Sequence, residues 1–169
     1  NTVLQSYWNG IRKLFLVWAI IVLVGFAFVY FNQSLSPTTI NIFWGILAGI
    51  GLLYSKKQMP FSDPILRNIF LVWLGIIVFG IVISQVSFFW SPLFFLATYL
   101  GAFWLFLMAL GHALTGLIEK KKRYIFMVIA QLIAAVFIVM FANSMPALFG
   151  LQYLIAGLVG SASMVILLF

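Results

Sequence analysis

The chain has 169 residues, of which 66% are hydrophobic and only 7% are charged. A soluble domain carries about 25% charged residues, so nine basic residues, two acidic residues and one His are too few for a water-soluble surface. The absence of Cys excludes disulfides, thiolate metal sites and Cys nucleophiles. The net charge of +7 could favour nucleic acid. However, every cation lies in a short gap between apolar runs, so no nucleic-acid partner is expected.

Six apolar runs follow one another along the chain. About 20 apolar residues cross the roughly 30 Å of hydrocarbon in a bilayer. The runs cover 14–31, 38–54, 68–84, 93–118, 125–142 and 147–169. Between them lie residues typical of turns, including Asn32, Pro37, Asp63, Pro64, Ser91, Pro92, Asn143 and Pro146. We therefore predict an all-α polytopic membrane protein, with six transmembrane helices in a single domain over 1–169.

The basic residues occupy alternate connections between these runs. Arg12 and Lys13 precede the first run, and the other cations are Lys56, Lys57, Arg67 and the four residues of 120–123. The three remaining connections carry no Lys or Arg. Cytoplasmic loops are enriched in Lys and Arg. The pattern therefore predicts that both termini are cytoplasmic, and we expect the protein in the cytoplasmic (inner) membrane of a prokaryote.

The odd-numbered runs begin with a repeated pattern. An Arg is followed by Phe three residues later and by Val five residues later, starting at Arg12, Arg67 and Arg123. The offsets between these copies are 55 and 56 residues. Self-similarity at a fixed period indicates a repeat architecture.

The even-numbered runs repeat with a similar period. Pro37, Pro92 and Pro146 each begin one of them, and an aromatic residue follows seven positions later, as Trp44, Tyr99 and Tyr153. This register aligns His112 with Lys57. We predict three tandem hairpins, at approximately 11–56, 66–119 and 122–169. Parallel repeats are related by an axis along the membrane normal, and here the axis would be pseudo-threefold.

This organisation resembles a known family. The shared features are a hairpin of about 55 residues in three copies, a basic start, a Pro at the far turn and a Tyr-x-x-Gly-like stretch. The closest segments run from Ser91-Pro92 through Tyr99-Leu100-Gly101-Ala102 to Gly111 and from Pro146 to Gly157. They resemble the HdeD-like acid-resistance membrane proteins, although the first copy has 32–36 in place of the usual Trp before Pro. The resemblance implies a role in stress tolerance at the inner membrane and carries over no functional residues.

Small residues mark possible helix contacts, because helices in lipid associate through close packing rather than a hydrophobic driving force. The candidates are Gly45 and Gly49 in the second run, Gly101 in the fourth, and Gly157 and Ser161 in the sixth. They would pack the bundle internally, or alternatively seat another subunit.

Two polar residues within the runs are candidates for a function. His112 is the ionisable side chain placed inside an apolar run, and we expect it near the inner interface. It would be a neutral His that hydrogen-bonds a neighbour, or a pH sensor, because His titrates near neutrality. Gln131, in the fifth run, would make an interhelical hydrogen bond or line a polar path.

Two further groups of polar residues have alternative interpretations. Thr98 and Gln152 hold matching repeat positions and Asn41 lies near the corresponding place, so these three could form a polar path in the outer half of the bundle. The repeat arginines Arg12, Arg67 and Arg123 would anchor the topology or bind lipid phosphates, which suit the forked guanidinium group.

The sequence offers little for catalysis. Its carboxylates, Asp63 and Glu119, lie in connections, and we find no catalytic pair, phosphate loop or His pair for haem. We therefore expect no enzyme, no cofactor and no metal. The expected function is that of a stress-related or accessory protein packing with membrane lipids, as a homo-oligomer or a subunit of a larger membrane complex. The alternative is a passive channel for a small neutral solute.

Overall fold

The chain forms a bundle of long antiparallel helices. The computed structural model describes the backbone of residues 2–59 and 62–166 and the side chains of 11–59 and 62–166. Over that part of the chain the helices are α1 (Thr2–Phe31), α2 (Pro37–Gln58), α3 (Pro64–Ser87), α4 (Phe94–Thr98), α5 (Leu100–Glu119), α6 (Tyr124–Phe141) and α7 (Leu148–Ile166), with a 3-10 turn at Ser91–Leu93.

Six of the described helices, all except the short α4, are long and apolar enough to cross a membrane. The prediction of an all-α chain with six candidate spans is therefore confirmed. Residues 167–169 of the sixth predicted run lie outside the described residues. Six such helices fit an integral membrane protein.

Local sequence determines where several helices begin and end. Ser36 caps α2, since its side chain accepts the Thr39 N–H at 3.1 Å and Pro37 follows at the first helical position. Asp63 caps α3 by accepting the Ile65 N–H at 2.8 Å. At the other end of α5, Lys120 takes the left-handed conformation with φ 55°, and Lys121 N–H donates to the Gly116 carbonyl at 3.0 Å.

The fourth predicted run is not one continuous helix. A 3-10 turn at Ser91–Leu93 leads into α4, and the helix is interrupted at Tyr99 before α5 begins. Tyr99 has φ −108° and ψ 36°, which lie outside the helical region. The interruption makes the segment between Pro92 and the main helix longer than its counterpart in α2.

The helices pack as a closed ring in the order α1, α2, α3, α5, α6, α7 and back to α1, with α5 also contacting α7. The tightest packing joins α1 to α7 and α5 to α6. Small buried residues allow this close approach, including Ala134, Ala135, Ala156 and Gly157. The α2–α3 side is looser.

The glycines predicted to pack helices together divide into two groups. A Cβ on Gly101 would come within 2.8 Å of the Gln152 carbonyl oxygen, and one on Gly157 within 2.9 Å of Phe26 Cβ, so both support close packing against α7 and α1. Ser161 is buried in α7 and donates to the Leu158 carbonyl.

Gly45 and Gly49 make no such contact, since a Cβ at either position would meet nothing within 4 Å. The face of α2 that packs against the bundle carries Ala48, Gly51 and Ser55 instead. Internal packing by the Gly45–Gly49 pair was therefore a wrong prediction. The alternative, that this face seats another subunit, stays a prediction.

Candidate functional site

The centre of the first four long helices is organised by a motif that the sequence analysis missed. Trp is followed seven residues later by Gly in each of α1, α2, α3 and α5: Trp18 and Gly25, Trp44 and Gly51, Trp73 and Gly80, Trp104 and Gly111. In α7 the corresponding positions hold Tyr153 and Gly160, and in α6 they hold Ile129 and Val136.

These residues meet reciprocally within two antiparallel helix pairs. The Trp44 indole lies against Gly25, and the Trp18 indole lies against Gly51, so that α1 and α2 each place one indole on the other's glycine. In the pair α3 and α5, Trp104 lies against Gly80 and Trp73 against Gly111. At all four glycines a Cβ would come closer than 3.0 Å to the indole.

A hydrogen bond fixes one indole in each pair. Trp18 donates its N–H to the Ser55 hydroxyl at 2.9 Å, and Trp73 donates to the Thr115 hydroxyl at 3.1 Å. Each hydroxyl in turn donates to a carbonyl one turn earlier in its own helix, Ser55 to Gly51 at 2.8 Å and Thr115 to Gly111 at 2.7 Å. Each hydroxyl thus uses its one proton and accepts one hydrogen bond from an indole.

The shared contacts relate α2 to α5 at a different offset from the one that their prolines give. Trp44, Gly51 and Ser55 play the parts of Trp104, Gly111 and Thr115, an offset of 60 residues rather than the 55 measured from the prolines. The five additional residues are accommodated by the turn and by α4. His112, which follows Gly111, thus corresponds to Leu52 and not to Lys57.

An elongated apolar cavity lies between α1, α2, α3 and α5. Its volume is about 110 Å³, and its walls include all four of these Trp side chains. On α5 one stripe lines it, formed by Trp104, Met108, His112, Thr115 and Glu119. At 1.5 Å per residue this stripe is about 22 Å long, so the cavity is narrow for its length. No residue of α6 lines it.

His112 lies in the wall of this cavity. It is 0% exposed and stands seven residues before Glu119, about 10 Å along the helix. Its Nδ1 lies 2.8 Å from the Met108 carbonyl oxygen and 3.1 Å from Gln131 Oε1 on α6. A carbonyl oxygen can only accept, so Nδ1 carries the proton in the neutral ring and Nε2 is an acceptor.

Gln131 is 0% exposed and bridges α6 to α5 through this contact with His112. It does not line the cavity. The structure therefore places it as an interhelical hydrogen-bonding group, away from any polar path among the described residues.

The cavity ends at a cluster of charged residues. Glu119 lines the cavity, and its side chain is only 6% exposed. Its carboxylate lies 3.3 Å from Arg123 and 3.8 Å from Lys121. Burial lowers the pKa of Lys121, and the charge of Glu119 acts in the opposite direction.

The three arginines at the starts of the odd-numbered runs differ in exposure and bonding. Arg12 and Arg67 are exposed, whereas Arg123 is partly buried and bonded to Glu119.

The predicted polar residues Asn41, Thr98 and Gln152 come together at the opposite end of the bundle. They line a second cavity of about 330 Å³, together with Gln33 and Tyr153. Asn41 donates to Gln85 Oε1 at 2.6 Å, and Gln85 donates to the Thr38 hydroxyl at 3.0 Å, which ties α2 to α3. The Thr98 hydroxyl is exposed and bonds its own helix at the Phe94 carbonyl.

Gln152 bridges the interruption between α4 and α5. Its Oε1 accepts the Gly101 N–H at 2.9 Å, and its Nε2 donates to the Thr98 carbonyl at 2.9 Å and the Phe149 carbonyl at 2.8 Å. These contacts satisfy backbone groups that a continuous helix would pair internally. Gln152 is thus a structural residue whose amide is fully used.

Stacked aromatic rings stand between the two cavities. Trp44 and Trp104 have ring centroids 6.1 Å apart at an angle of 14°, and Phe26 meets Trp44 edge to face at 4.9 Å. All three residues line the apolar cavity at the end nearer the polar one. No open path through the described residues is apparent from this arrangement.

The described residues contain no group of three His, Asp or Glu side chains placed to hold a metal ion. Comparison of the chain with models of known families, with characterised proteins and with solved structures finds no match.

Proposed function

We propose that this protein is a non-catalytic, accessory membrane protein that holds the end of a single lipid chain in the apolar cavity between α1, α2, α3 and α5. The observation that carries the proposal is the cavity itself: four indoles and a set of aliphatic side chains line a narrow space about 22 Å long. An apolar cavity of about 150 Å³ can bind a benzene-sized molecule. The cavity of 110 Å³ is smaller than that, so it would take the last few carbons of one linear chain rather than a whole lipid tail.

The proposal includes three tandem hairpins with both termini in the cytoplasm of a prokaryotic cell. The reciprocal Trp–Gly contacts in two helix pairs support repetition, and Tyr153 and Gly160 continue the pattern in α7. The alternation of basic and uncharged connections supports the orientation. Membership of the HdeD-like family, and with it the stress-related role, rests on the sequence resemblance alone.

The third hairpin packs differently from the first two, and this difference supports placing the bound chain between the first and second hairpins. In the third hairpin, α6 carries Ile129 and Val136 where α1 and α3 carry a Trp–Gly pair. In addition, α6 packs closely on α5, and α7 packs closely on α1. The bulky indoles belong to the first two hairpins, where the packing of α2 against α3 is looser. The space is therefore formed between the first and second hairpins.

Two neighbouring substitutions on α2 test the proposal. Ala48 is buried and lines the cavity, whereas a Cβ on Gly49 would meet nothing within 4 Å. Ala48→Leu should therefore fill the cavity and reduce the lipid retained per protein, while Gly49→Leu, with the same new side chain, should leave it unchanged. Native mass spectrometry after purification in mild detergent, with extraction of retained lipids, measures both. A wild-type protein that retains no lipid chain would contradict the proposal.

A passive conduit is the second candidate function. The two cavities at opposite ends, separated by the Trp44–Trp104 stack, would form a path with an aromatic constriction. If so, the Trp44→Ala, Trp104→Ala double variant should raise the flux of a small neutral solute such as glycerol into liposomes. Equal flux for wild type, double variant and protein-free liposomes would exclude this function.

A further inference from the structure

The cavity of about 330 Å³ at the opposite end of the bundle from Glu119 carries polar but uncharged side chains. Its polar lining consists of amides and hydroxyl groups, which belong to Gln33, Asn41, Thr98, Gln152 and Tyr153. Among the described residues that line it there is no Lys, Arg, His, Asp or Glu. Gln33 and Thr98 are exposed, so the cavity opens at the surface of the bundle. A charged ligand would find no counter-charge here, which favours a neutral one.

Tyr153 lines this cavity, and its hydroxyl group makes no hydrogen bond with another described residue. The side chain is half-buried, and its oxygen is not one of the fully buried polar atoms that lack a partner, so the hydroxyl is accessible. By contrast, the hydroxyl of Tyr99 lies 3.4 Å from Asn143 Oδ1, and Tyr99 does not line the cavity. Tyr153 therefore offers a ligand both an apolar ring and a hydrogen-bonding group.

The other polar groups of the lining offer mainly acceptors. Asn41 Nδ2 donates to Gln85 Oε1 at 2.6 Å, and Gln33 Nε2 donates to the Tyr30 carbonyl at 3.0 Å. The oxygen of each amide makes no hydrogen bond with a described residue. The Thr98 hydroxyl donates to its own helix at 3.1 Å and can still accept. A ligand with several O–H donors matches these oxygens, whereas a phosphate or carboxylate would meet acceptors with further acceptors.

The remaining walls of the cavity are apolar and include the rings of Phe88 and Phe149. Ligand sites commonly combine walls of this kind with a few polar groups, and the C–H faces of a sugar ring can pack against them. A cavity of about 150 Å³ holds a benzene molecule. In proportion, a cavity of 330 Å³ holds about 13 non-hydrogen atoms, which is the size of one hexose.

We propose that this cavity binds one neutral, hydroxyl-rich ring of hexose size, with the Tyr153 hydroxyl as a hydrogen-bonding partner. A free monosaccharide and the head group of a neutral glycolipid present the same chemistry. The cavity lies beside the connection 32–36, to which Gln33 belongs, so that a ligand can enter where the chain turns between two spans. This site is separate from the apolar cavity and does not depend on the lipid chain proposed there.

Three neutral ring compounds test the proposal: methyl glucoside, methyl galactoside and inositol. The protein is purified without glycoside detergents, placed in nanodiscs and titrated with each compound. Saturation-transfer NMR measures the dissociation constants, with protein-free nanodiscs as the background. We expect at least one compound to bind. The phosphate ester of the compound that binds best should bind about ten-fold more weakly, because no cation lines the cavity. Equally tight binding of the ester would overturn the proposal.

Matched variants assign the binding to this cavity. Tyr153→Phe keeps the ring and removes a hydroxyl without an internal bond, so the unfolding temperature should stay at the wild-type value while affinity falls about ten-fold. Tyr99→Phe makes the same change outside the cavity and should bind as the wild type does. Thr98→Val, which removes one acceptor, should also weaken binding. If Tyr153→Phe and Tyr99→Phe have equal affinities, the proposal is wrong.

Pairs of lipids distinguish the two sources of the ring. Nanodiscs are prepared with equal amounts of diacylglycerol and of glucosyl or galactosyl diacylglycerol with the same acyl chains, so that only the head groups differ. Native mass spectrometry identifies the lipids that the protein retains. Preferential retention of a glycosyl lipid, lost in Tyr153→Phe, assigns the site to a head group. Equal retention, together with binding of a free ring compound, assigns it to a soluble sugar.

One combined outcome separates this site from the function proposed above. If no ring compound binds and the lipids are retained equally, the hexose site is overturned. Retention of an acyl chain that is sensitive to Ala48→Leu would still stand, because it does not depend on the head group.

Discussion

The indole of Trp104 lies directly on the backbone of Gly80, with no room for a methyl group between them. The same relationship joins Trp44 to Gly25, Trp18 to Gly51 and Trp73 to Gly111. An indole is rigid, so the contact brings the two helices together at a fixed distance and simultaneously presents an aromatic wall to the cavity. Packing and the candidate binding site therefore depend on the same residues.

Gly80→Ala should destabilise the protein. The added methyl group would displace the Trp104 indole, and overpacking of this kind costs about 1–3 kcal/mol. The matched control is Gly75→Ala on the same helix, where a Cβ would meet nothing within 4 Å. That variant should be neutral or more stable by about 0.5–1 kcal/mol because Ala favours the helix. Thermal unfolding in detergent measures both, and equal effects would contradict the packing role of Gly80.

Gln152→Leu should loosen the junction between α4 and α5. The buried Gly101 N–H would lose its acceptor, at a cost of about 1–3 kcal/mol. Thr98→Val is the control, because Gln152 bonds the Thr98 backbone carbonyl and not its hydroxyl. Hydrogen exchange at residues 100–102 should become faster in Gln152→Leu alone. Unchanged exchange there would show that the amide does not hold the junction.

The absence of native Cys allows a direct test of orientation, because single introduced thiols can be labelled without background. Lys57→Cys and Lys122→Cys should react with a membrane-impermeant maleimide only after the cells are opened. Ser34→Cys and Ser144→Cys should react in intact spheroplasts. All four positions are exposed in the structure. The reverse pattern would mean that the basic connections face outward.

Removing the exposed arginines should reduce the binding of anionic lipid. Arg12→Gln and Arg67→Gln each remove an exposed cation, worth about 1 kcal/mol near an anionic leaflet. Arg123→Gln should mainly lower stability, because this side chain is bonded to Glu119. Retained phosphatidylglycerol and cardiolipin, together with unfolding temperatures, distinguish the two effects. Equal loss of lipid in all three variants would show that the arginines act alike.

The six spans could be predicted because apolar runs and turn residues are local signals. The interruption at Tyr99 could not, since no Pro or polar run marks it. Gln152, the side chain that accepts the Gly101 N–H beside it, lies 51 residues after Gly101 in the chain. The backbone groups at the interruption are satisfied by Gln152, which comes near them only in the folded bundle.

Alignment of the repeats on their prolines pairs His112 with Lys57, whereas the Trp–Gly contacts pair it with Leu52. The additional residues of α4 shift the register of the following helix by five positions. The four Trp-to-Gly spacings were visible in the sequence and would have corrected the alignment. By contrast, the cavity depends on how far α2 and α3 stand from the rest of the bundle, and no local pattern reports that distance.

The close contact between α1 and α7 has a consequence for biogenesis. Because α7 is translated long after α1, the face of α1 that carries Val22 and Phe26 must wait in the bilayer until α7 is inserted. The ring can close only after translation of α7, and a stalled or truncated chain would expose that face to quality-control proteases.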